Sequence, residues 1–90
     1  MYSLSTTKQF EKDYKLCNKR GFKIALLHTI FELLEKDGTI PLKYKPHRLT
    51  GNYKGFWECH IQPDWLLIWE KQEKEKNIQL IRTGTHADLF

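Results

Sequence analysis

Trp65-Leu66-Leu67-Ile68-Trp69 is the most informative run for the fold, because every residue in it is apolar. A short run of this kind is typical of a central strand that is covered on both faces. The sequence on either side predicts two more strands: Phe56 to Ile61 is rich in aromatic and branched residues, and Asn77 to Thr83 alternates between apolar and polar. The polar segment Lys71 to Lys76 is expected to join the last two strands as a hairpin loop.

Two helices are predicted ahead of these strands. The first opens at a capping box, in which Thr6 and Gln9 satisfy free backbone N–H groups of the first turn. Its apolar stripe consists of Phe10, Tyr14 and Cys17. The second helix is expected from about Phe22 to Lys36, with Gly38 as its C-terminal stop. His28 lies on this helix, and we expect its role to be structural.

The order of the elements, two helices and then a run of strands, predicts the α+β class. We expect two N-terminal helices packed on one face of a small antiparallel β-sheet, with Tyr2 to Ser5 as a short additional strand. Residues 39–55 are irregular, and a loop of this length in a compact domain is usually functional or mobile. The 90 residues are expected to form one domain, residues 1–90.

The composition excludes several classes of protein. No window approaches the roughly 18 apolar residues of a membrane span, and the N-terminus lacks the basic and apolar regions of a signal peptide. We therefore expect a cytoplasmic protein without membrane contact. Cys17 and Cys59 are too few for a disulfide scaffold and are expected to be small buried thiols. The formal net charge of +4 favours an anionic partner.

One basic stretch, residues 43–54, contains no acidic residue. This segment holds Lys43, Lys45, Arg48 and Lys54. A solvated face is the ordinary interpretation of such a run, but an RNA or DNA backbone also favours clustered lysine and arginine. Because His47 lies in the same segment, Lys45, Arg48 and Lys54 are candidate substrate-binding residues.

The C-terminal half combines three histidines with an aspartate and an arginine, a set that indicates proton transfer at a phosphodiester. Histidine takes and gives protons near neutral pH, and arginine offers a planar fork suited to phosphate. RNA is cut without a metal when the ribose 2′-OH attacks the neighbouring phosphorus, which requires a base, an acid and a cation. The candidate catalytic residues are His47, His60, Asp64, Arg82 and His86. We expect Asp64 to lie beside His60 in one pocket.

Three segments together resemble one family of toxins. They are Leu49 to Gly55 (LTGNYKG), Cys59 to Trp69 (CHIQPDWLLIW) and Arg82 to Phe90 (RTGTHADLF). Their order and spacing resemble the YafQ branch of the RelE/ParE toxin superfamily. This resemblance implies a ribosome-dependent endoribonuclease that cuts mRNA and is silenced by a cognate antitoxin. By motif position, it also implies a site formed by His47, His60, Asp64, Trp65, Arg82, His86 and Phe90.

The residues leave several local roles open. A metal site using the histidines and Asp64 would suit zinc or manganese, but no compact ligand pair such as His-Glu-x-x-His is present, so we expect no metal and no cofactor. Trp65 either stacks on an RNA base or packs in the core, and we place it among the substrate-binding residues. Phe90 either docks on the sheet or contacts RNA, and we place it in the same group.

Two other functions are compatible with the basic charge. A non-catalytic toxin on the same scaffold would bind and inhibit an enzyme such as gyrase, as ParE-like relatives do. A basic RNA-binding domain without toxicity would explain the charge but not the set of histidine, aspartate and arginine. An inhibitor has no need for that set either, so the endoribonuclease is the preferred prediction.

Overall fold

The computed structural model describes all residues 1–90, which form a five-stranded sheet and three α-helices. In chain order these are β1 (Ser3–Thr6), α1 (Lys8–Lys19), α2 (Ile24–Asp37), β2 (His47–Arg48), β3 (Trp57–Gln62), β4 (Trp65–Gln72), β5 (Asn77–Gly84) and α3 (His86–Leu89). Single turns of 3₁₀-helix occur at Leu42–Tyr44 and Gly51–Tyr53. The α+β class and the two N-terminal helices are as predicted.

The strands lie in the order β1-β5-β4-β3-β2, so the apolar strand β4 is central. Strands β2 to β5 pair in antiparallel fashion, as predicted. The pairing of β1 with β5 is parallel, so the predicted antiparallel sheet has one parallel edge. The reason is topological: α1 and α2 separate β1 from the other strands in the sequence, so no tight hairpin turn sets its direction.

Alternate residues of β4 face the two sides of the sheet, as the pleat of a strand requires. On one side, Trp65, Leu67 and Trp69 belong to a buried cluster of 13 residues to which α1 and α2 contribute. On the other side, Leu66 and Ile68 pack with Leu89 of α3. This smaller cluster is covered by Leu49, Tyr53, Phe56 and Ile81. The two helices thus cover one face, while the loop before β3 and the C-terminal turn cover part of the other.

One helix terminus differs from the prediction and one agrees with it. The N-cap of α1 is Thr7, whose hydroxyl accepts a hydrogen bond from the Phe10 backbone N–H at 2.9 Å. Thr6 belongs to β1, so the predicted Thr6–Gln9 capping box is wrong by one residue. Gly38 ends α2 in the left-handed conformation with φ of 69°, which a residue with a Cβ adopts only at a cost.

Both cysteines are free and buried, as predicted. Burial raises the pKa of the Cys17 thiol to about 11 and that of Cys59 to about 12. A thiol with so high a pKa is a poor nucleophile at neutral pH, so neither cysteine carries the chemistry. None of the helices is long and apolar enough to cross a membrane.

Candidate active site

Three histidine rings lie in a row on the sheet face opposite α1 and α2. His47 comes from β2, His60 from β3 and His86 from the first turn of α3. The ring centroids of His47 and His60 are 6.3 Å apart, and those of His60 and His86 are 5.8 Å apart. The structure therefore brings together residues that are separated by up to 39 positions in the chain. The row is open to solvent, as a site for a polymer must be.

His86 is held by a carboxylate from the neighbouring turn. Asp64, between β3 and β4, accepts hydrogen bonds through Oδ1 from the His86 backbone N–H at 3.0 Å and from the ring Nδ1 at 2.7 Å. These two hydrogen bonds lower the pKa of Asp64, the backbone bond contributing most. Because Nδ1 faces the carboxylate, the other ring nitrogen, Nε2, points away from it.

His60 has a different partner from the one predicted. Its Nδ1 lies 3.3 Å from the carbonyl oxygen of Pro63, and no carboxylate is paired with it. The expected pairing of Asp64 with His60 is therefore wrong, because the turn at residues 63–64 presents Asp64 to the C-terminal helix instead. A carbonyl oxygen only accepts hydrogen bonds. Nδ1 of His60 therefore carries the proton in the neutral ring, and Nε2 is left with a free lone pair.

The short helix α3 is anchored by two side-chain interactions around Asp88. Its N-cap Thr85 and Asp88 form a capping box. Arg20, at the end of α1, donates to both Asp88 oxygens at 2.6 and 3.2 Å. These contacts lower the pKa of Asp88 to about 2, with the arginine contributing most. A Cβ at Gly84 would lie 2.8 Å from Asp88 Oδ2, so the close approach requires glycine.

Arg82 forms an ion pair inside the protein. Its Nε and Nη2 donate to the two oxygens of Asp13 on α1, at 2.7 and 3.2 Å, and this pairing raises the arginine pKa. Asp13 is 7% exposed and also accepts the Thr83 backbone N–H at 3.1 Å. The second terminal nitrogen, Nη1, lies outside this ion pair. Arg82 is thus fixed by the core on one side and partly exposed on the other.

Two of the candidate substrate-binding residues lie away from the histidine row. Trp65 is 2% exposed and donates from its indole N–H to the Thr83 hydroxyl at 2.9 Å, so it belongs to the core and offers no ring face to a base. The Arg48 guanidinium lies 5.3 Å from the centre of the Trp57 ring, which packs against the core on the helix side. Adjacent strand residues point to opposite faces, so Arg48 is directed away from His47.

Of the remaining candidates, Phe90 and Lys45 lie near the row, and Lys54 lies on the exposed surface. Phe90 is 63% exposed, with its ring 5.5 Å from Tyr53 and 6.4 Å from His86. Lys54 is exposed beside the second 3₁₀ turn. Lys45 lines an open cleft of about 400 Å³ next to His60. The cleft is completed by Lys43, Tyr44, Ile61, Gln62 and Pro63.

Sequence reasoning missed four residues that support the site. Asp13 holds Arg82, Arg20 holds Asp88, Tyr53 supports Phe90, and Glu58 contacts His47, with 3.2 Å between its Oε1 and the ring Nε2. No motif marks the first two, because their partners lie about 70 positions away in the sequence. Glu58 is two residues from His60 in a strand, which places both on one face. The sequence alone could therefore have placed Glu58 on the same face as His60.

The arrangement does not resemble a preformed metal site. No group of three or more histidine, cysteine, aspartate or glutamate side chains is placed to hold a metal ion. The His86 and Asp64 contact is a hydrogen-bonded pair, and the other two histidines bond backbone carbonyls through Nδ1. What the geometry can do chemically is move protons on an exposed, basic face.

The sequence is similar to one family of bacterial toxins. The family model described as the bacterial toxin of type II toxin–antitoxin system, YafQ, matches residues 2–90. The mRNA interferase toxin YafQ of Escherichia coli strain K12 is 42% identical over 84 residues, which cover 91% of this chain and 88% of that protein.

Solved structures agree with the sequence comparison. A metal-bound toxin from Helicobacter pylori superimposes with a TM-score of 0.90 at 39% identity, over 100% of both chains. YafQ in the Escherichia coli DinJ–YafQ complex superimposes with a TM-score of 0.89 at 36% identity, over 100% of this chain and 99% of that one. The five-stranded sheet with its two long helices on one face is therefore the fold of these toxins.

Proposed function

Because this chain belongs to the YafQ family of bacterial type II toxins, we propose that it is an mRNA interferase, an endoribonuclease that a cognate antitoxin neutralises. A relative 42% identical is an mRNA interferase toxin, and a structural neighbour is a toxin bound to its antitoxin. We place the enzyme in the cytoplasm, where it cuts mRNA on the ribosome.

One observation carries the chemical part of the proposal: the hydrogen-bonded Asp64–His86 pair lies within reach of a second histidine whose Nε2 is free. Cleavage by the ribose 2′-OH needs a base for the hydroxyl proton and an acid for the leaving 5′-oxygen. Two imidazoles with ring centroids 5.8 Å apart can flank one phosphate. Such a pair has no role in a toxin that only binds and inhibits another enzyme.

We assign the roles of the two rings from their hydrogen bonds. The Asp64 carboxylate holds Nδ1 of His86 at 2.7 Å, so Nε2 is directed away from it. In this assignment His86 is the acid that protonates the leaving 5′-oxygen. His60 faces only a carbonyl oxygen and keeps a lone pair on Nε2, so it is the base that takes the 2′-OH proton.

In this proposal, side chains other than the two histidines supply positive charge to the phosphate. Arg82 has one terminal nitrogen outside its ion pair with Asp13, and we assign it to the negative charge that develops on the phosphorane. The cleft beside His60, with Lys43 and Lys45 on its wall, lies where the RNA strand continues. Phe90, exposed beside His86, offers a ring on which a neighbouring base stacks.

The test is single-turnover cleavage of mRNA on programmed ribosomes by paired variants. Asp64→Asn and His86→Gln are each expected to lower the rate by about 10²–10⁴-fold, the usual contribution of an acid–base group. Melting temperatures should change little, because both side chains are exposed. His28→Gln is the matched control, since this exposed histidine lies on α2 and bonds the Tyr14 hydroxyl.

Two results would overturn the assignment. Normal cleavage by His86→Gln would remove His86 from the reaction. Intact mRNA with wild-type protein, together with a change in DNA topology, would favour the alternative of a ParE-like inhibitor of gyrase. RNA binding without any cleavage would favour the simple RNA-binding domain.

A further inference from the structure

His47 differs from the other two histidines because both of its ring nitrogens have protein partners. Nδ1 lies 2.9 Å from the carbonyl oxygen of Lys45, and Nε2 lies 3.2 Å from Oε1 of Glu58. In His60 and His86 only Nδ1 is engaged, with Pro63 and Asp64 respectively. Nε2 of those two rings remains available to RNA, whereas neither nitrogen of His47 is available unless an existing contact breaks.

The partner carboxylate is unusual. Glu58 is 4% exposed, and its second oxygen, Oε2, is buried without a hydrogen-bond partner in the protein. Leaving a buried carboxylate oxygen unpaired is costly, so an apolar residue at this position would favour stability. Glu58 therefore lowers stability, yet it contacts His47. This combination indicates that Glu58 holds the His47 side chain in place.

The other partner of His47 is equally informative. Lys45 has φ of 52°, a left-handed conformation that a residue with a Cβ adopts only when its surroundings impose it. It follows the 3₁₀ turn Leu42–Tyr44 and lines the cleft beside His60 with Lys43 and Tyr44. The hydrogen bond from His47 to the Lys45 carbonyl therefore ties a strained, basic turn to the sheet.

We propose that Glu58 and His47 form a clasp that holds the basic segment Lys43–Lys45 in place for RNA. In this proposal His47 is a positioning residue and transfers no proton. The inference rests on the proposed function and deepens it, because it divides the three histidines into a proton-transfer pair, His60 and His86, and a structural third. Its consequence is measurable: loss of the clasp weakens substrate binding and leaves the chemical step intact.

Charged and titratable groups surround the clasp on two strands. On its own segment, Lys45 lines the cleft and Arg48 is turned towards Trp57. On β3, the charge of Glu58 helps burial raise the pKa of the Cys59 thiol, and the His60 ring centroid is 6.3 Å from that of His47. Glu58 is the carboxylate that the structure pairs with His47.

The first experiment compares two substitutions at Glu58. Glu58→Met removes the carboxylate that contacts Nε2 and fills the space with an apolar chain. We expect KM for programmed ribosomes to rise about tenfold with kcat changed less than about threefold. Glu58→Gln can donate its amide N–H to Nε2 of a neutral His47 ring, so it should restore KM to near the wild-type value. Glu32→Met, on the exposed surface of α2, is the control for loss of one negative charge.

The second experiment removes the other half of the clasp. His47→Ala should match Glu58→Met, and the double variant should be no worse than either single one, because both remove the same interaction. The pH–rate profile of His47→Ala should keep both limbs. A fall in kcat of about a hundredfold with KM unchanged, or loss of one limb of the profile, would show that His47 transfers a proton and would overturn the proposal.

A third measurement needs no catalytic activity. Hydrogen exchange of the backbone amides in residues 42–48 should become faster in Glu58→Met and stay at the wild-type rate in Glu58→Gln and Glu32→Met. Unchanged exchange in a folded Glu58→Met variant would disprove the clasp. If the wild-type protein cuts no RNA, the proposed function fails, while hydrogen exchange still decides whether the clasp exists.

Discussion

Arg82 serves two demands with one guanidinium group. Towards the core it neutralises Asp13, a buried carboxylate that also accepts the Thr83 backbone N–H. The guanidinium group is also partly exposed, with Nη1 outside the ion pair, and we propose that this nitrogen serves the phosphate. A rigid fork of donors can meet both demands at once, whereas a lysine offers a single point charge. Substitutions of Arg82 therefore have to be interpreted against stability.

We predict different outcomes for two Arg82 variants. Arg82→Ala leaves Asp13 buried without a cation, a change that costs roughly 3–5 kcal/mol for a fully buried pair and less here because Arg82 is partly exposed. Arg82→Lys keeps a cation near Asp13 and should melt close to the wild-type temperature. Cleavage by Arg82→Lys should still fall by about 10²-fold, because charge on the phosphorane loses its donor.

Thermal melts and single-turnover rates on the same protein samples separate the two effects. Asp13→Asn is the companion variant, since its amide oxygen still accepts the Thr83 N–H and only the charge is lost. If folded Arg82→Lys cleaves at the wild-type rate, Arg82 acts only through its ion pair with Asp13.

The sequence predicted which residue types form the site better than it predicted their partners. His47, His60, Asp64, Arg82 and His86 were named from motif and chemistry, and the structure brings the histidines and Asp64 together. The pairing of Asp64 with His86 was not foreseen, because it depends on how a two-residue turn meets a helix 22 positions later. Trp65 was misplaced for a related reason: burial is decided by tertiary packing.

At the scale of elements, the short helix α3 carries His86, the proposed acid. It has only four residues, and a helix this short has no stability of its own in water. Its capping box and the Arg20–Asp88 ion pair hold it to the end of β5 and to α1. Arg20 therefore influences His86 although it touches no part of the histidine row.

We predict that Arg20→Met loosens α3 without unfolding the protein. Hydrogen exchange of residues 85–90 should become faster, and cleavage should fall by about ten- to a hundredfold because the imidazole is misplaced. Lys19→Met is the matched control, since this neighbouring residue is exposed and forms no ion pair within the protein. Equal exchange and equal rates in the two variants would show that Arg20 has no part in positioning α3.

The same ion pair has a predictable response to acid. The pKa of Asp88 is lowered in the folded protein to about 2, below its value of about 3.9 in an unfolded chain. Its contribution to stability is therefore complete above about pH 4 and is lost as the pH falls towards 2. In wild-type protein α3 should therefore stay anchored at pH 5, and a loss of cleavage between pH 7 and 5 would not come from release of this helix.

Element boundaries followed local sequence patterns closely, and the exceptions are long-range. The two long helices and the three long strands were predicted within a few residues, whereas α3 was not predicted. Strand β2 was missed because two residues carry no periodic signal, and it exists only through pairing with β3. The parallel direction of β1 was missed for the same kind of reason. Its hydrogen bonds are made with residues more than 70 positions away.

At the scale of the whole molecule, the two sheet faces have separate tasks. One face is covered by α1 and α2 over the larger core, and the other carries the histidine row between the basic turn and the C-terminal helix. The net charge of +4 adds a long-range attraction for RNA. An exposed, basic face with three histidines above a buried core fits the proposed substrate, mRNA held on a ribosome.

This division of the molecule predicts the behaviour of the protein in cells. Expression of the chain alone should stop growth and yield mRNA cut within codons, because the proposed substrate is mRNA in the act of being translated. His86→Gln should restore growth at equal protein levels, and the cognate antitoxin should do the same for the wild-type chain. Mapping mRNA 5′ ends and measuring plasmid supercoiling in the same cultures decides between mechanisms. Growth arrest with whole mRNA and altered supercoiling would mean that the protein inhibits another enzyme and that the histidine row has no part in toxicity. Cut mRNA that disappears with His86→Gln would instead attribute growth arrest to cleavage by the proposed acid.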